Sequence, residues 1–147
     1  MTQNCVTLRI PATLDSLAGA QAFLRERSTA LGVPELLLGR LELILEELVV
    51  NIGSYAYPDG EGDMEVGCEV LQEEPGTSAM LCIILRDWGV PFDPLGKESP
   101  DVDADIEARP VGGLGIYLIR ELTDHCAYQR NGDANEFRAY LSMEVNQ

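Results

Sequence analysis

Three short stretches of this 147-residue chain hold residues whose types and spacing suit chemistry. In the first, Glu47 and Asn51 stand four apart inside the run from Leu41 to Pro58. On a helix they lie one turn apart on one flank, at the edge of an apolar stripe of Leu37, Leu41, Ile44, Leu48, Ile52 and Tyr55. A carboxylate at that edge is costly without a partner. It could snorkel to water or pair with Arg40 on the same flank. The chemical alternative is that Glu47 accepts the proton of a hydroxyl attacking a γ-phosphate. The Asn51 oxygen would then meet a Mg²⁺ that takes other oxygens from the phosphates.

The second stretch is Asp87-x-Gly89 at the end of an apolar run. Such an Asp can accept a hydrogen bond from an exocyclic amine, and the glycine lets a ring come close. A strand-ending Asx turn would use the same residues. The third is Gly112-Gly113-Leu114-Gly115, which opens a helix and can offer backbone N–H groups to phosphate. It fits neither the P-loop nor the Rossmann glycine pattern, and glycines before a helix also serve as simple turns.

The elements that must position these groups follow from periodicity. Val6, Leu8 and Ile10 alternate with polar residues in a strand that stops at Pro11. Thr13 or Asp15 can cap a helix with Leu17, Ala20, Leu24 and Leu31 at helical spacing, ended by Gly32. Pro34 opens the helix of Glu47 and Asn51, with Glu42, Glu46 and Gly53 expected on its solvent side. Met64, Val66, Cys68 and Val70 alternate along a strand with one wet face. Ala79 to Leu85 is continuously apolar and reads as a central strand covered on both faces. Leu95 to Pro110 lacks periodicity, and a loop of this length tends to be functional. A helix with Ile116, Ile119 and Leu122 inward follows, then strands over Cys126 to Arg130 and Glu136 to Met143, with Asn131-Gly132 in the turn. The order predicts an α+β two-layer sandwich, with helices on one face of a mixed, mainly antiparallel sheet. Its length makes residues 1–147 a single domain.

Composition narrows the function. The net charge of −15 argues against capture of nucleic acid or anionic membrane, which need a basic face. No apolar run approaches the length of a membrane span, and the N-terminus lacks a signal-peptide profile. Cys5, Cys68, Cys82 and Cys126 show no CxxC spacing and are expected to be free thiols in a reducing cytoplasm. With one histidine, His125, a His-based metal site or a Ser-His-Asp triad is not expected.

In order along the chain, Glu47-x-x-x-Asn51, Asp87-x-Gly89-x-Pro91-Phe92-Asp93-Pro94 and Gly112-Gly113-Leu114-Gly115-Ile116-Tyr117-Leu118-Ile119-Arg120 resemble the N, G1 and G2 boxes of the GHKL ATPase superfamily. Within it the chain is most similar to bacterial anti-sigma-factor serine/threonine kinases, through Tyr55-Ala56-Tyr57-Pro58, Pro91-Phe92-Asp93-Pro94 and Arg120-Glu121-Leu122-Thr123-Asp124. The resemblance implies the Bergerat fold, with three helices on the sheet, and assigns roles to residues. Asn51 would ligate Mg²⁺ on ATP, Glu47 would be the catalytic base, and Asp87 would read the adenine amine with Gly89 beside the ring. Gly112, Gly113, Leu114 and Gly115 would meet the phosphates, Leu95 to Pro110 would be the ATP lid, Arg109 would touch a phosphate from it, and Asn135 would support the adenine pocket. Tyr55 stands where the family often has a His before the Ala-Tyr pair.

The function so implied is a cytoplasmic ATP-dependent protein kinase that binds a sigma factor and phosphorylates an anti-anti-sigma factor, with a homodimer usual in the family. The alternatives are a non-enzymatic ATP-binding partner switch and an acidic interaction domain without nucleotide. Glu47 favours the kinase, because nucleotide sensing alone needs no base.

Overall fold

The computed structural model describes residues 6–58, 60–72, 79–93 and 113–144. The chain runs through β1 (Thr7–Pro11), a 3₁₀ turn (Leu14–Ser16), α1 (Leu17–Ala30), α2 (Glu35–Tyr55), β2 (Asp63–Leu71), β3 (Met80–Asp87), α3 (Gly113–Leu122), β4 (His125–Asn131) and β5 (Ala134–Ser142). The strands form one sheet in the order β1-β2-β3-β5-β4. Among the described residues every pairing is antiparallel, so the mixed character expected of the sheet is not found there. Gly132, at φ +61°, takes the first central position of the two-residue β4–β5 turn, which an L side chain would strain.

Register gathers the apolar residues on one side. Val66, Cys68 and Val70 lie opposite Leu85, Ile83 and Leu81, which in turn face Phe137, Ala139 and Leu141. These residues cluster with Leu24, Leu41, Ile44 and Ile119 from the helices. The same row of β3 and β5 continues one step further and ends in a polar pair, Asp87 opposite Asn135. The candidate site therefore lies at the end of the core face.

On the other side of the sheet, Cys82 and Ile84 are also buried. The burial of the central strand on both faces, expected from its continuous apolar run, is met without a second layer of secondary structure among the described residues. Long charged side chains do the covering. Arg86 bonds Glu65 at 2.6 Å and Glu136 at 2.7 Å, and Arg138 bonds Glu136 at 2.7 Å and reaches Glu69 at 3.5 Å. Burial alone would raise the Glu136 carboxyl, but the two guanidiniums hydrogen-bonded to it hold it below the ordinary glutamate value. The neighbouring Cys82 thiol is pushed up to about 11, chiefly by burial, which makes it inert at neutral pH. Cys68, Cys82 and Cys126 form no disulfide among the described residues, and Cys5 lies outside them. Among the described residues no helix is long and apolar enough to cross a membrane.

α1 buries Ala20, Leu24 and Ser28, one turn apart. It ends as the glycine predicts. Gly32 sits at φ +86° while its N–H bonds the Thr29 carbonyl and the Val33 N–H bonds the Ser28 carbonyl, a Schellman closure. α2 then begins one residue after Pro34. It buries Leu38, Leu45 and Val49 besides the expected stripe, because it lies against α1, α3 and the sheet and so needs a wide apolar arc. Glu42 departs from its expected solvent position. It is half-buried, bonded to Arg25, and its carbonyl accepts from Gln21, so it fastens α2 to α1.

Gly53 is exposed in the last turn of this helix. A Cβ added there would meet only the Ala12 carbonyl oxygen, at an ordinary 3.9 Å, so close packing does not require the glycine. It borders a hollow of about 430 Å³ with Ala12, Leu14, Val50 and Tyr57. Gly53→Ala is expected to stabilise the fold by about 0.5–1 kcal/mol, through helix propensity alone. Thermal unfolding checks it; a lower melting temperature in the variant would show that the glycine has a packing role.

Candidate functional site

Asp87 closes β3 and Asn135 opens β5 beside it, both buried. Their pairing is a consequence of register, and the bond between them is direct: Asn135 Nδ2 donates to Asp87 Oδ1 at 2.8 Å. The Gly89 N–H donates to the same oxygen at 2.9 Å. Among the described residues no donor meets Oδ2, so that oxygen is available as an acceptor on a residue that helps to line the cavity. Burial raises the Asp87 carboxyl above its ordinary value, opposed by the Asn135 amide, the Gly89 N–H and the charge of Arg130.

The cavity is lined by Leu48, Asn51 and Ile52 of α2, Leu85 and Asp87 of β3, Tyr128 of β4, Asn135 and Phe137 of β5, and Phe92. Apolar walls with few convergent polar groups suit a flat heteroaromatic ring with one hydrogen-bonding edge. As it stands the cavity has about 20 Å³ of room, enough for one water. Phe92 is one of its walls, and its ring stacks on Tyr55 at 4.6 Å between centroids and 20° between planes. Tyr55, where the family often places a His, thus has an observed contact at the rim of the site.

Asn51 is buried on the α2 face that meets the cavity. Its Nδ2 donates to the Glu47 carbonyl one turn back, at 2.9 Å, so the amide nitrogen is committed to the helix and the oxygen remains for a ligand. Glu47 itself is half-buried and forms no ion pair with Arg40, which is exposed. Burial, then the neighbouring charge of Glu46, raises its carboxyl above the ordinary value. A carboxylate whose pKa is raised, and that has no ion pair among the described residues, is suited to take up a proton. No group of three or more His, Cys, Asp or Glu among the described residues could hold a metal ion. Mg²⁺ would accordingly be shared between Asn51 and oxygens that the nucleotide brings, its usual mode of binding.

The structure gives Gly89 a different neighbour from the one expected. A Cβ there would stand 2.0 Å from the Ala56 carbonyl oxygen and 2.7 Å from the Ala56 Cβ, so it is the end of α2 that requires the glycine. The Val90 N–H bonds that same carbonyl at 2.8 Å. Gly89→Ala is expected to destabilise the protein by about 1–3 kcal/mol or more, since backbone must move. Denaturant unfolding measures it, and a wild-type midpoint would mean that the segment yields freely.

Gly113, Leu114 and Gly115 form the first turn of α3, which has no acidic residue to repel an anion and lies against α2. Gly112, Arg109 and the segment Leu95 to Pro110 lie outside the described residues. Asn51, Asp87 and Asn135, far apart in sequence, share one cavity, with Glu47 one turn from Asn51. Sequence reasoning missed Tyr128 and Arg130, whose side chains bond Asn135 Oδ1 at 2.5 and 3.2 Å, and Tyr57, whose hydroxyl accepts from the Trp88 N–H and donates to the Asp63 carbonyl. The alternation of Tyr128 and Arg130 with Ala127 and Gln129 held the available clue, since it puts both on the face of β4 that looks toward Asn135.

Residues 10–141 match the family model described as a histidine kinase-like ATPase domain. The chain is 28% identical to the serine-protein kinase RsbW of Listeria monocytogenes, over 81% of this chain and 75% of that protein. It is 24% identical to the serine-protein kinase RsbW of Staphylococcus aureus, over 97% and 90%. The Bacillus cereus protein of the same name is 24% identical over 81% and 73%.

Proposed function

Since the chain belongs to the histidine kinase-like ATPase domain family, we propose that it is an ATP-dependent serine/threonine protein kinase that serves as an anti-sigma factor in the cytoplasm. It binds a sigma factor and phosphorylates an anti-anti-sigma factor. The observation that carries the nucleotide part is Asp87, which lines an apolar cavity that Asn51 also lines: one carboxylate oxygen accepts hydrogen bonds from Asn135 and Gly89, and the other meets no donor among the described residues. That oxygen accepts a hydrogen bond from the adenine amine. That three relatives are serine-protein kinases supports the kinase part.

In this reading the adenine enters among Leu48, Ile52, Leu85 and Phe137, and Asn51 presents its oxygen to the Mg²⁺ on the phosphates. When bound, the ion offsets charge on the phosphate oxygens. Gly113, Leu114 and Gly115 offer N–H groups of the α3 start to the same phosphates, and Gly112 and Arg109 are assigned to them as well, from the resemblance. Glu47 takes the proton of the attacking serine or threonine hydroxyl as the new O–P bond forms and the bond from the γ-phosphorus to the bridging oxygen breaks, releasing ADP.

Incubation with radiolabelled ATP, Mg²⁺ and candidate partner proteins tests the proposal. Label on a serine or threonine of one partner is the expected result. ATP binding without transfer to any partner would instead select a switch that shapes a docking surface without chemistry, and failure to bind ATP would select an acidic interaction domain.

A further inference from the structure

We propose that Tyr128 and Arg130 set the nucleobase preference of the site, as positioning residues that lock the Asn135 amide in one orientation. The inference rests on the adenine-nucleotide reading above. Asn135 Oδ1 accepts from the Tyr128 hydroxyl at 2.5 Å, Arg130 Nη1 at 3.2 Å and the Phe92 N–H at 3.3 Å. Its Nδ2 donates to Asp87 Oδ1 and to the Val90 carbonyl, both at 2.8 Å. A guanidinium and a backbone N–H can only donate, and a carboxylate and a carbonyl can only accept. Turning the amide over would set donors against donors and acceptors against acceptors in four of the five bonds. Only one orientation satisfies the cluster.

That orientation has a chemical consequence. Because Nδ2 must point at Asp87, Oδ1 of the carboxylate is occupied, and Oδ2 is left as the acceptor that Asp87 can offer to a ligand in the cavity it lines. A purine with an amine on that edge donates to it. A purine with a carbonyl there sets oxygen against carboxylate oxygen and is rejected. Arg130 adds a second hold, since Nη1 also donates to the Gly89 carbonyl at 2.9 Å and so fixes the segment whose N–H bonds Asp87. Tyr128 and Arg130 are two apart on β4, and Arg130 faces Asn135 in register, so one strand delivers both restraints.

The test is titration of ATP and GTP, each with Mg²⁺, into wild type, Tyr128→Phe, Arg130→Gln and Arg130→Lys, with thermal melting of each. Wild type is expected to prefer ATP. Arg130→Gln and Tyr128→Phe are expected to narrow the ATP-to-GTP affinity ratio, by about tenfold for Arg130→Gln, the loss of one bond to a charged group. Arg130→Lys, which keeps a cationic donor, should recover part of the ratio. If folded variants bind both nucleotides more weakly by the same factor, or keep the wild-type ratio, the two residues are merely structural and the inference fails. Should Arg130→Gln not fold, Tyr128→Phe decides, since it removes one hydroxyl. A wild type that binds neither nucleotide overturns the parent reading itself, and the inference falls with it; a wild type that binds ATP and GTP alike overturns the inference alone.

Discussion

Glu47→Gln is expected to lose about 10²–10⁴-fold in the rate of phosphate transfer, the usual contribution of a general base, while nucleotide affinity stays within a few-fold. The side chain is half-buried, has no ion pair with Arg40 and is raised above its ordinary value by burial and then by Glu46. It also stands one helical turn, about 5.4 Å along the axis, from the residue that would meet the ion. Removing its charge should therefore touch the chemical step and leave binding nearly intact. Glu46→Gln is the paired control. Glu46 is exposed, and its charge raises Glu47, so neutralising it should lower the Glu47 value and move the acid limb of the rate profile to lower pH, with the plateau kept. Label transfer to the partner, run beside nucleotide titrations, decides the matter. Equal transfer by wild type and Glu47→Gln would sink the base assignment.

Asn51→Ala is expected to abolish Mg²⁺-dependent ATP binding. The variant deletes the one oxygen that α2 offers at the cavity, where phosphate charge and ion would meet. The fold should survive, because the side chain lost makes one hydrogen bond, from Nδ2 to the Glu47 carbonyl, worth about 0.5–1.5 kcal/mol. Calorimetric titration with ATP in Mg²⁺ and in chelator, with melting curves for both proteins, separates the two effects. Wild-type affinity in Mg²⁺ would remove Asn51 from the metal site.

Much of the fold was legible because periodicity reports a face. The alternation over Met64 to Val70 and the stripe from Leu37 to Ile52 fix which side of β2 and α2 is buried, and the structure agrees. Glu42 and the cover over Cys82 and Ile84 were not legible, since each depends on ion pairs between elements: Arg25 with Glu42, or Arg86 and Arg138 with Glu65 and Glu136. The site divides the same way. Asn51 and Asp87 could be picked out by residue type and place along the chain. The reason for Gly89 could not, because the Ala56 carbonyl that crowds it lies 33 residues earlier and approaches only when the end of α2 docks against β3. Tyr128 and Arg130 stayed hidden for a related cause: their meaning lies in a shared acceptor, Asn135 Oδ1, across a hairpin.

The one-water cavity has a kinetic meaning. A purine needs more room than the cavity has, so Phe92 must lift from Tyr55 before one enters, and only the fraction of molecules in which it has lifted is competent to bind. The measured dissociation constant is then the intrinsic one divided by the competent fraction, and if opening precedes binding the association rate levels off at the rate of opening once nucleotide is abundant. Phe92 is only half-buried, so it is also within reach of a protein bound at the rim. A partner that grips the raised ring removes that cost and tightens nucleotide binding, and by reciprocity nucleotide tightens the partner by the same factor. Two ligands that never touch would thus be linked through one phenyl ring.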